Sequence, residues 1–426
     1  MIGELAVAVL GVTVVAVGWH GLKTPGGYFQ YPFLASCTMG GFALPQLIGL
    51  VSDRAVPTDA IARVVVMATL CLVSLSVGYN RSRVVTAPRS MVYDDSTLLV
   101  GAAVLTSVGA VFHIAVRLMS LGDADLFLGT GLPVALLFLG NMMYGGLALA
   151  AIYAFRHRSV GAIVITTISV LVLLERVVFL GRRSTAVALG LSLLLPRWFE
   201  RGRGVPPWLV GPVLALAILA NQGIGEYRAM MSGHPGAART VVEIPFLENL
   251  EQVLAGGSYE LCNASYYMDA MALRRSFDYG LYHWNAFVFN FVPGQIVGEK
   301  AKDAMMLPIA PHARLAEDVW GYVPNTGSTL TGLVDCFGSF WYFGCLKFFL
   351  IAYILRNLYD RASQRDTHAE VWYILLLVPS LLSITHNTQW FLSSVIMYGA
   401  FTLPAFWFAK RRIVGLSLPR RQGGIL

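Results

Sequence analysis

Residues 160–180 read VGAIVITTISVLVLLERVVFL, a run of 21 whose only charges are the adjacent Glu175 and Arg176. As a helix rising 1.5 Å per residue it would measure about 30 Å, the thickness of a bilayer's hydrocarbon core. Outward from this stretch the same pattern recurs in both directions. Apolar runs predict spans near 2–20, 28–51, 61–79, 97–119, 126–154, 160–180, 184–195, 208–220, 328–355, 371–386 and 389–408. This is an all-α polytopic membrane protein with about 11 transmembrane helices, an odd number that puts the termini on opposite sides. The seventh and eighth runs are short. They read as tilted partial spans or a re-entrant pair, tolerable only if buried in protein or lining a wet cavity.

Composition points the same way. Of 426 residues, 56% are hydrophobic and 13% charged, against about 25% charged in soluble domains. That excludes an ordinary cytosolic enzyme, a disordered chain and a small disulfide scaffold. The net charge of +7 matters through its placement. Seventeen Lys and Arg fall in the loops on the C-terminal tail's side and three in the short loops opposite. The positive-inside rule then places the N-terminus outside and the C-terminus in the cytoplasm. Glu4 stands where a cleaved signal would carry positive charge. The five cysteines form no CxxC and no Cys/His cluster, so neither disulfides nor zinc are expected.

The chain divides into an N-terminal bundle (1–221, about eight spans), a long outside segment (222–327) and a C-terminal bundle (328–426, about three spans) with a basic tail. The outside segment holds 11 of the 24 acidic residues, seven basic ones and 14 aromatics, too apolar for a linker. Phe246, Leu247, Leu250, Val253 and Leu254 follow helical spacing between Pro245 and Gly256-Gly257. Trp284, Phe287, Val288, Phe291 and Val292 repeat it before Pro293-Gly294. Such helices would lie on the membrane surface, either as a cap over the bundle or as a vestibule. Carboxylates and aromatics such as Glu243, Asp278, Tyr282 and Trp284 suit sugar hydroxyls and sugar faces.

Charge inside a membrane is costly, so each instance asks for a role. Glu175-Arg176 is followed by Gly181-Arg182-Arg183 in an outside loop that breaks the positive-inside pattern. Arg176 and Arg183, seven apart, share a face if the helix runs through Gly181. With Arg182 and the later Arg228 they would form a guanidinium cluster suited to phosphate oxygens, or serve as interfacial anchors. Asp335, about two turns into the ninth span, needs a partner, and an arginine of the cluster is the expected one. His283 and His386 are the outside histidines in the most apolar or aromatic surroundings. Arg63 and Arg117 read as snorkelling, and Lys347 as structural. HExxH, Walker, GxSxG and CxxC motifs are all missing, so no metal or nucleotide cofactor and no nucleic-acid partner is expected.

This order of features resembles the bacterial oligosaccharide repeat-unit polymerases (Wzy-type O-antigen or exopolysaccharide polymerases), relatives of the O-antigen ligases. The likeness rests on Leu173-Leu174-Glu175-Arg176, Gly181-Arg182-Arg183-Ser184, two short spans, Tyr227-Arg228, and a long external loop. It ends with Asn325-Thr326-Gly327-Ser328-Thr329 leading into Asp335-Cys336-Phe337-Gly338-Ser339-Phe340-Trp341-Tyr342-Phe343-Gly344. It covers roughly residues 160–360. The resemblance implies a GT-C-like helical fold in the inner membrane with a periplasmic loop and active site. It implies transfer of a glycan from undecaprenyl pyrophosphate to a sugar hydroxyl. A chain-length regulator and a flippase would share the membrane. Under it Arg176, Arg183 and Arg228 would stabilise the leaving pyrophosphate, with Arg182 as second choice. Asp335 would orient an arginine or bind sugar, and His283, Glu243 or Asp278 would accept the proton. Glu175, Tyr282, Trp284 and His386 complete the candidate substrate site. A ligase using another acceptor, or a flippase for the lipid-linked oligosaccharide, are the alternatives.

Overall fold

The computed structural model describes residues 2–52, 56–81, 92–119, 132–233, 238, 240–324 and 329–410. Among these the regular structure is helical, apart from an isolated bridge between Tyr93 and Lys410. The N-terminal bundle comprises α1 (Ile2–Lys23), α2 (Tyr31–Ser52), α3 (Thr58–Arg81), α4 (Asp95–Leu118), α5 (Leu132–Gly140), α6 (Met142–His157) and α7 (Val160–Leu180). After it come α8 (Arg183–Arg201), α9 (Pro207–Gln222) and α10 (Ile224–Met231). The outside segment forms α11 (Phe246–Gly256), α12 (Tyr259–Arg274), α13 (Leu281–Phe291), α14 (Gly294–Val297), α15 (Glu299–Met305) and α16 (His312–Trp320). The C-terminal bundle is α17 (Gly332–Phe340), α18 (Leu346–Ala362), α19 (Thr367–Thr385) and α20 (Gln389–Ala409).

Nine helices among the described residues are long and apolar enough to cross a membrane, ten if α9 and α10 count as one bent span. The expected span at 184–195 is not one of them. It belongs to α8, whose last turns carry Arg197, Glu200 and Arg201. The run at 208–220 continues through a 60° bend into α10. Gly223 stands at that bend, pressed so close to Phe246 that a Cβ there would sit 2.3 Å from its ring. With eleven spans not reached, the argument from an odd count lapses, and orientation rests on basic residues alone. Several of those, including Arg83, Arg89 and the arginines of 411–426, lie outside the described residues.

Close packing uses small residues where backbones meet, as expected when lipid removes the hydrophobic drive between helices. A Cβ on Gly146 would lie 2.3 Å from Thr106 Oγ1, so α6 rests directly on α4, and Gly78 seats α3 on the Phe349 carbonyl of α18. The buried central rod is α19, packed by α2, α6, α8, α18 and α20. Asp366 caps its N-terminus by accepting from Ala369 N–H at 3.2 Å.

The two surface helices read from spacing are α11 and α13, and both stop where Gly257 and Val292 leave helical geometry. Between them α12 was not anticipated. It is buried through Leu261, Ala264, Met268 and Met271 and packs on α3, α16 and α17. Arg63 pairs with Asp269 of α12 at 2.8 Å, so it ties this helix to α3 rather than snorkelling.

The predicted span 328–355 is not one continuous helix. At Trp341 the backbone turns to φ 53° and ψ −141°, and a 3-10 stretch, Trp341–Cys345, leads into α18. The return is so tight that a Cβ on Gly344 would come within 1.8 Å of the Cys336 carbonyl oxygen.

Candidate functional site

That fold-back creates the central feature. Twelve residues along a straight helix would separate Asp335 and Lys347 by about 18 Å; here Lys347 Nζ meets Asp335 Oδ1 at 3.1 Å. The partner of Asp335 is therefore Lys347, not an arginine, and the lysine read as structural stands at the centre. Its ammonium also donates to Ser339 Oγ at 2.7 Å and meets His283 Nε2 at 2.8 Å. The other carboxylate oxygen, Oδ2, accepts from the Thr388 N–H at 2.9 Å and from the Thr388 hydroxyl. Asp335 is thus fully buried yet saturated with donors, the condition under which a buried charge is tolerable.

His283 sits 3.5 Å from Asp335 Oδ1, and its Nδ1 is buried without a hydrogen-bond partner among the described residues. Burial pushes its imidazole below the usual histidine range; Asp335 opposes this and Lys347 reinforces it. With Lys347 donating to Nε2, the neutral ring carries its proton on Nδ1. Next to it, the Tyr282 hydroxyl accepts from Asn387 Nδ2 at 3.1 Å. Burial, with Asp335 and Asp278 adding to it, pushes that phenol up to about 12.

A second, cationic cluster lies at the junction of α7 and α8. Gly181, at φ 56°, ends α7 in the left-handed conformation that favours glycine. Arg228 Nη2 donates to its carbonyl at 3.1 Å, and Tyr227 donates to the Val178 carbonyl at 2.5 Å. Arg183 donates to Asn221 Oδ1 and stands in the opposing fields of Arg228 and Glu260. His386 shares this neighbourhood. Burial and then Arg183 hold its pKa down, Glu260 pulls it up, and Nδ1 lies 2.8 Å from Thr385 Oγ1.

The two clusters are joined by three consecutive residues between α19 and α20. His386 faces Arg183 and Glu260, Asn387 holds Tyr282, and Thr388 holds Asp335. The Cα atoms of residues 386 and 388 can be at most about 7 Å apart.

Not every anticipated residue arrives here. Because α7 stops at Gly181, Arg176 and Arg183 do not share a continuous helix face. Arg176 turns to His113 of α4 at 3.5 Å, with its Nε buried and without a hydrogen-bond partner among the described residues. Glu175 pairs with Arg117 at 3.3 Å. Arg182 occupies the N-cap of α8, its carbonyl accepting from Thr185 and Ala186. Glu243 lies in an exposed 3-10 turn and accepts from Thr240 at 3.2 Å. Trp284 donates to the Met305 carbonyl at 2.8 Å and is half exposed. Asp278 is buried, its Oδ1 accepting from the Gly280 N–H at 2.7 Å. Of the stretch 325–329, residues 325–328 lie outside the described residues, while Thr329 donates to the Thr385 carbonyl at 3.3 Å, beside His386.

Lys347, Thr388, Asn387, Asn221 and Glu260 complete the site and were missed. Lys347 alone carried a signal, an ammonium inside an apolar run that requires a partner. Among the described residues no three His, Cys, Asp or Glu side chains gather as a metal site. No protein-family model, curated protein or solved structure matches the chain.

Proposed function

We propose that this chain is a polyprenyl-pyrophosphate-dependent glycosyltransferase that polymerises lipid-linked oligosaccharide repeat units at the outer face of a bacterial inner membrane. The observation that carries the reading is the turn 386–388, in which His386 feels the charge of Arg183 while Thr388, two residues on, binds the buried Asp335 paired with Lys347. In this scheme Arg183 and Arg228 bind the donor's pyrophosphate. The acceptor hydroxyl attacks the anomeric carbon as the carbon–oxygen bond to phosphate breaks. The bonding pair leaves on the pyrophosphate, where preorganised guanidinium groups stabilise the growing charge. The hydroxyl proton passes to His386, kept neutral by burial and by Arg183. Asp335, Lys347 and His283 act as positioning residues, fixing the turn through Thr388.

Polar groups at the opposite end of α19 fit a helix with a membrane boundary at each end. Arg156 there binds Glu200 and Glu370 at 2.6 and 3.0 Å. Sixteen residues along α19 separate Glu370 from His386 by about 24 Å, somewhat less than the hydrocarbon thickness. With the C-terminus inside, the Asp335 and arginine clusters fall at the periplasmic boundary, where a polyprenyl pyrophosphate lies. A GT-C-like assignment belongs to the same proposal.

The test is a purified-protein assay with undecaprenyl-pyrophosphate-linked repeat units alone, resolved on a gel. A ladder without added metal or nucleotide is the expected result. Single transfer only to lipid A-core would make it a ligase. The broken helix bearing Asp335 and Lys347 favours one other reading, an ion-coupled carrier for the lipid-linked sugar. Proton-driven translocation in liposomes with no product formed would establish that instead.

A further inference from the structure

We propose that the cavity behind the Asp335 centre is a saccharide subsite, seating one pyranose ring of the acceptor through Asp278 and His312. The cavity holds about 190 Å³ and is bounded by α13, α16, α17 and the loop 306–311. At about 30 Å³ per water it has room for roughly six waters, or for one pyranose rather than two. Its polar wall is Asp278, His312 and Ser276, and its apolar wall includes Phe277 and Leu281. A pyranose has the same division, a rim of hydroxyls and an apolar face of C–H groups.

His312 Nε2 is buried with no hydrogen-bond partner among the described residues, a deficit that a ligand hydroxyl would correct. Burial pushes His312 below the usual histidine range, against the pull of Asp278 and Asp335, so the neutral ring can donate or accept. The cavity shares a wall with the Asp335 centre. Gly338, three residues after Asp335, accepts the Asp278 N–H at 2.9 Å, and a Cβ on it would lie 3.2 Å from His312 Nε2. The next residue, Ser339, accepts a hydrogen bond from Lys347. A ring held here would lie one helical turn from the residues that fix the turn 386–388.

The inference rests on the polymerase reading for the identity of its ligand, and deepens it by locating the acceptor. It is tested with full-length protein in nanodiscs. Methyl glycosides of glucose, galactose, mannose, rhamnose and N-acetylglucosamine, free of lipid and phosphate, are titrated by saturation-transfer NMR. Transfer to at least one glycoside is expected, with affinity weakened about tenfold or more in D278N/H312Q. The same loss is expected in A310W, which places bulk at the cavity from an exposed loop and leaves helix packing untouched. No transfer in the unaltered protein, or transfer unchanged in both variants, overturns the subsite. A ladder without glycoside transfer sinks the subsite and keeps the polymerase. Transfer sensitive to both variants without a ladder keeps the subsite and removes the polymerase.

Discussion

Replacing Lys347 with methionine preserves the length of the side chain and deletes its charge, isolating what the ammonium does for Asp335. The Asp335 side chain is fully buried and that of Lys347 only 16% exposed, at 3.1 Å. Solvent therefore screens the pair weakly. Removing one partner of a buried pair costs about 3–5 kcal/mol, mostly from the stranded charge. Unfolding entropy of about 2.1 cal/mol/K per residue, over 426 residues, makes this a fall in Tm of about 3–6 °C. The double variant D335N/K347M should recover most of that fall. Its amide still accepts from Thr388 and can donate to the His283 nitrogen that the lysine vacates. Transfer should be lost in both, since neither keeps the Asp335–Lys347 ion pair beside the turn 386–388. Tm by intrinsic fluorescence in detergent and the ladder assay read the two effects separately. The reasoning fails if K347M melts within 1 °C of the parent, or if the double variant melts no higher than K347M.

The arginine pair should show itself in rate rather than fold: R183A or R228A should lower transfer about 10²–10³-fold at unchanged membrane protein level, and near-parental ladders would remove the pyrophosphate role. Because burial and Arg183 both favour neutral His386, transfer should hold above its depressed pKa and fall as pH drops through it. R183A removes one lowering influence, so the acid limb of its pH–rate profile should move to higher pH; an unmoved limb would mean that His386 does not accept the proton. G344A should yield little folded protein by fluorescence-detected size exclusion, because its Cβ would strike the Cys336 carbonyl; elution and melting like the parent would refute the fold-back. W284A, whose ring packs on Phe287 and donates to the Met305 carbonyl rather than to the neighbours of His283, should change transfer less than threefold, read as ladder intensity against time.

The spans that match their expected places are those whose apolar runs are long and uninterrupted, as in α2, α3 and α7. Bilayer thickness imposes that length on any crossing helix, which is why it can be read directly. What could not be read is where a run that looks continuous is broken. Trp341-Tyr342-Phe343-Gly344-Cys345 is as apolar as its neighbours, and only the backbone reveals the reversal at Trp341. That reversal decides the partner of Asp335, so the carboxylate was legible as a candidate while its lysine was not. The same limit misplaced Arg176, whose shared face with Arg183 depended on an unbroken helix at Gly181. Arg183, Arg228, His283 and His386 stood out because charge or imidazole near a membrane boundary is rare enough to draw notice. Glu260 and Thr388 did not, since such residues are ordinary at helix ends until tertiary contacts single them out.

The turn between α19 and α20 also bears on how such a chain could be re-engineered. His386, Asn387 and Thr388 each serve a neighbour on a different segment, so inserting or deleting one residue there would misalign three contacts at once. A change of length there would disturb more than any single substitution. Anyone exchanging residues 222–327 to alter sugar preference would find that Tyr282 and His283 dock on this turn. The graft would have to carry residues 386–388 with it, a distant piece of sequence that belongs in practice to the same replaceable part.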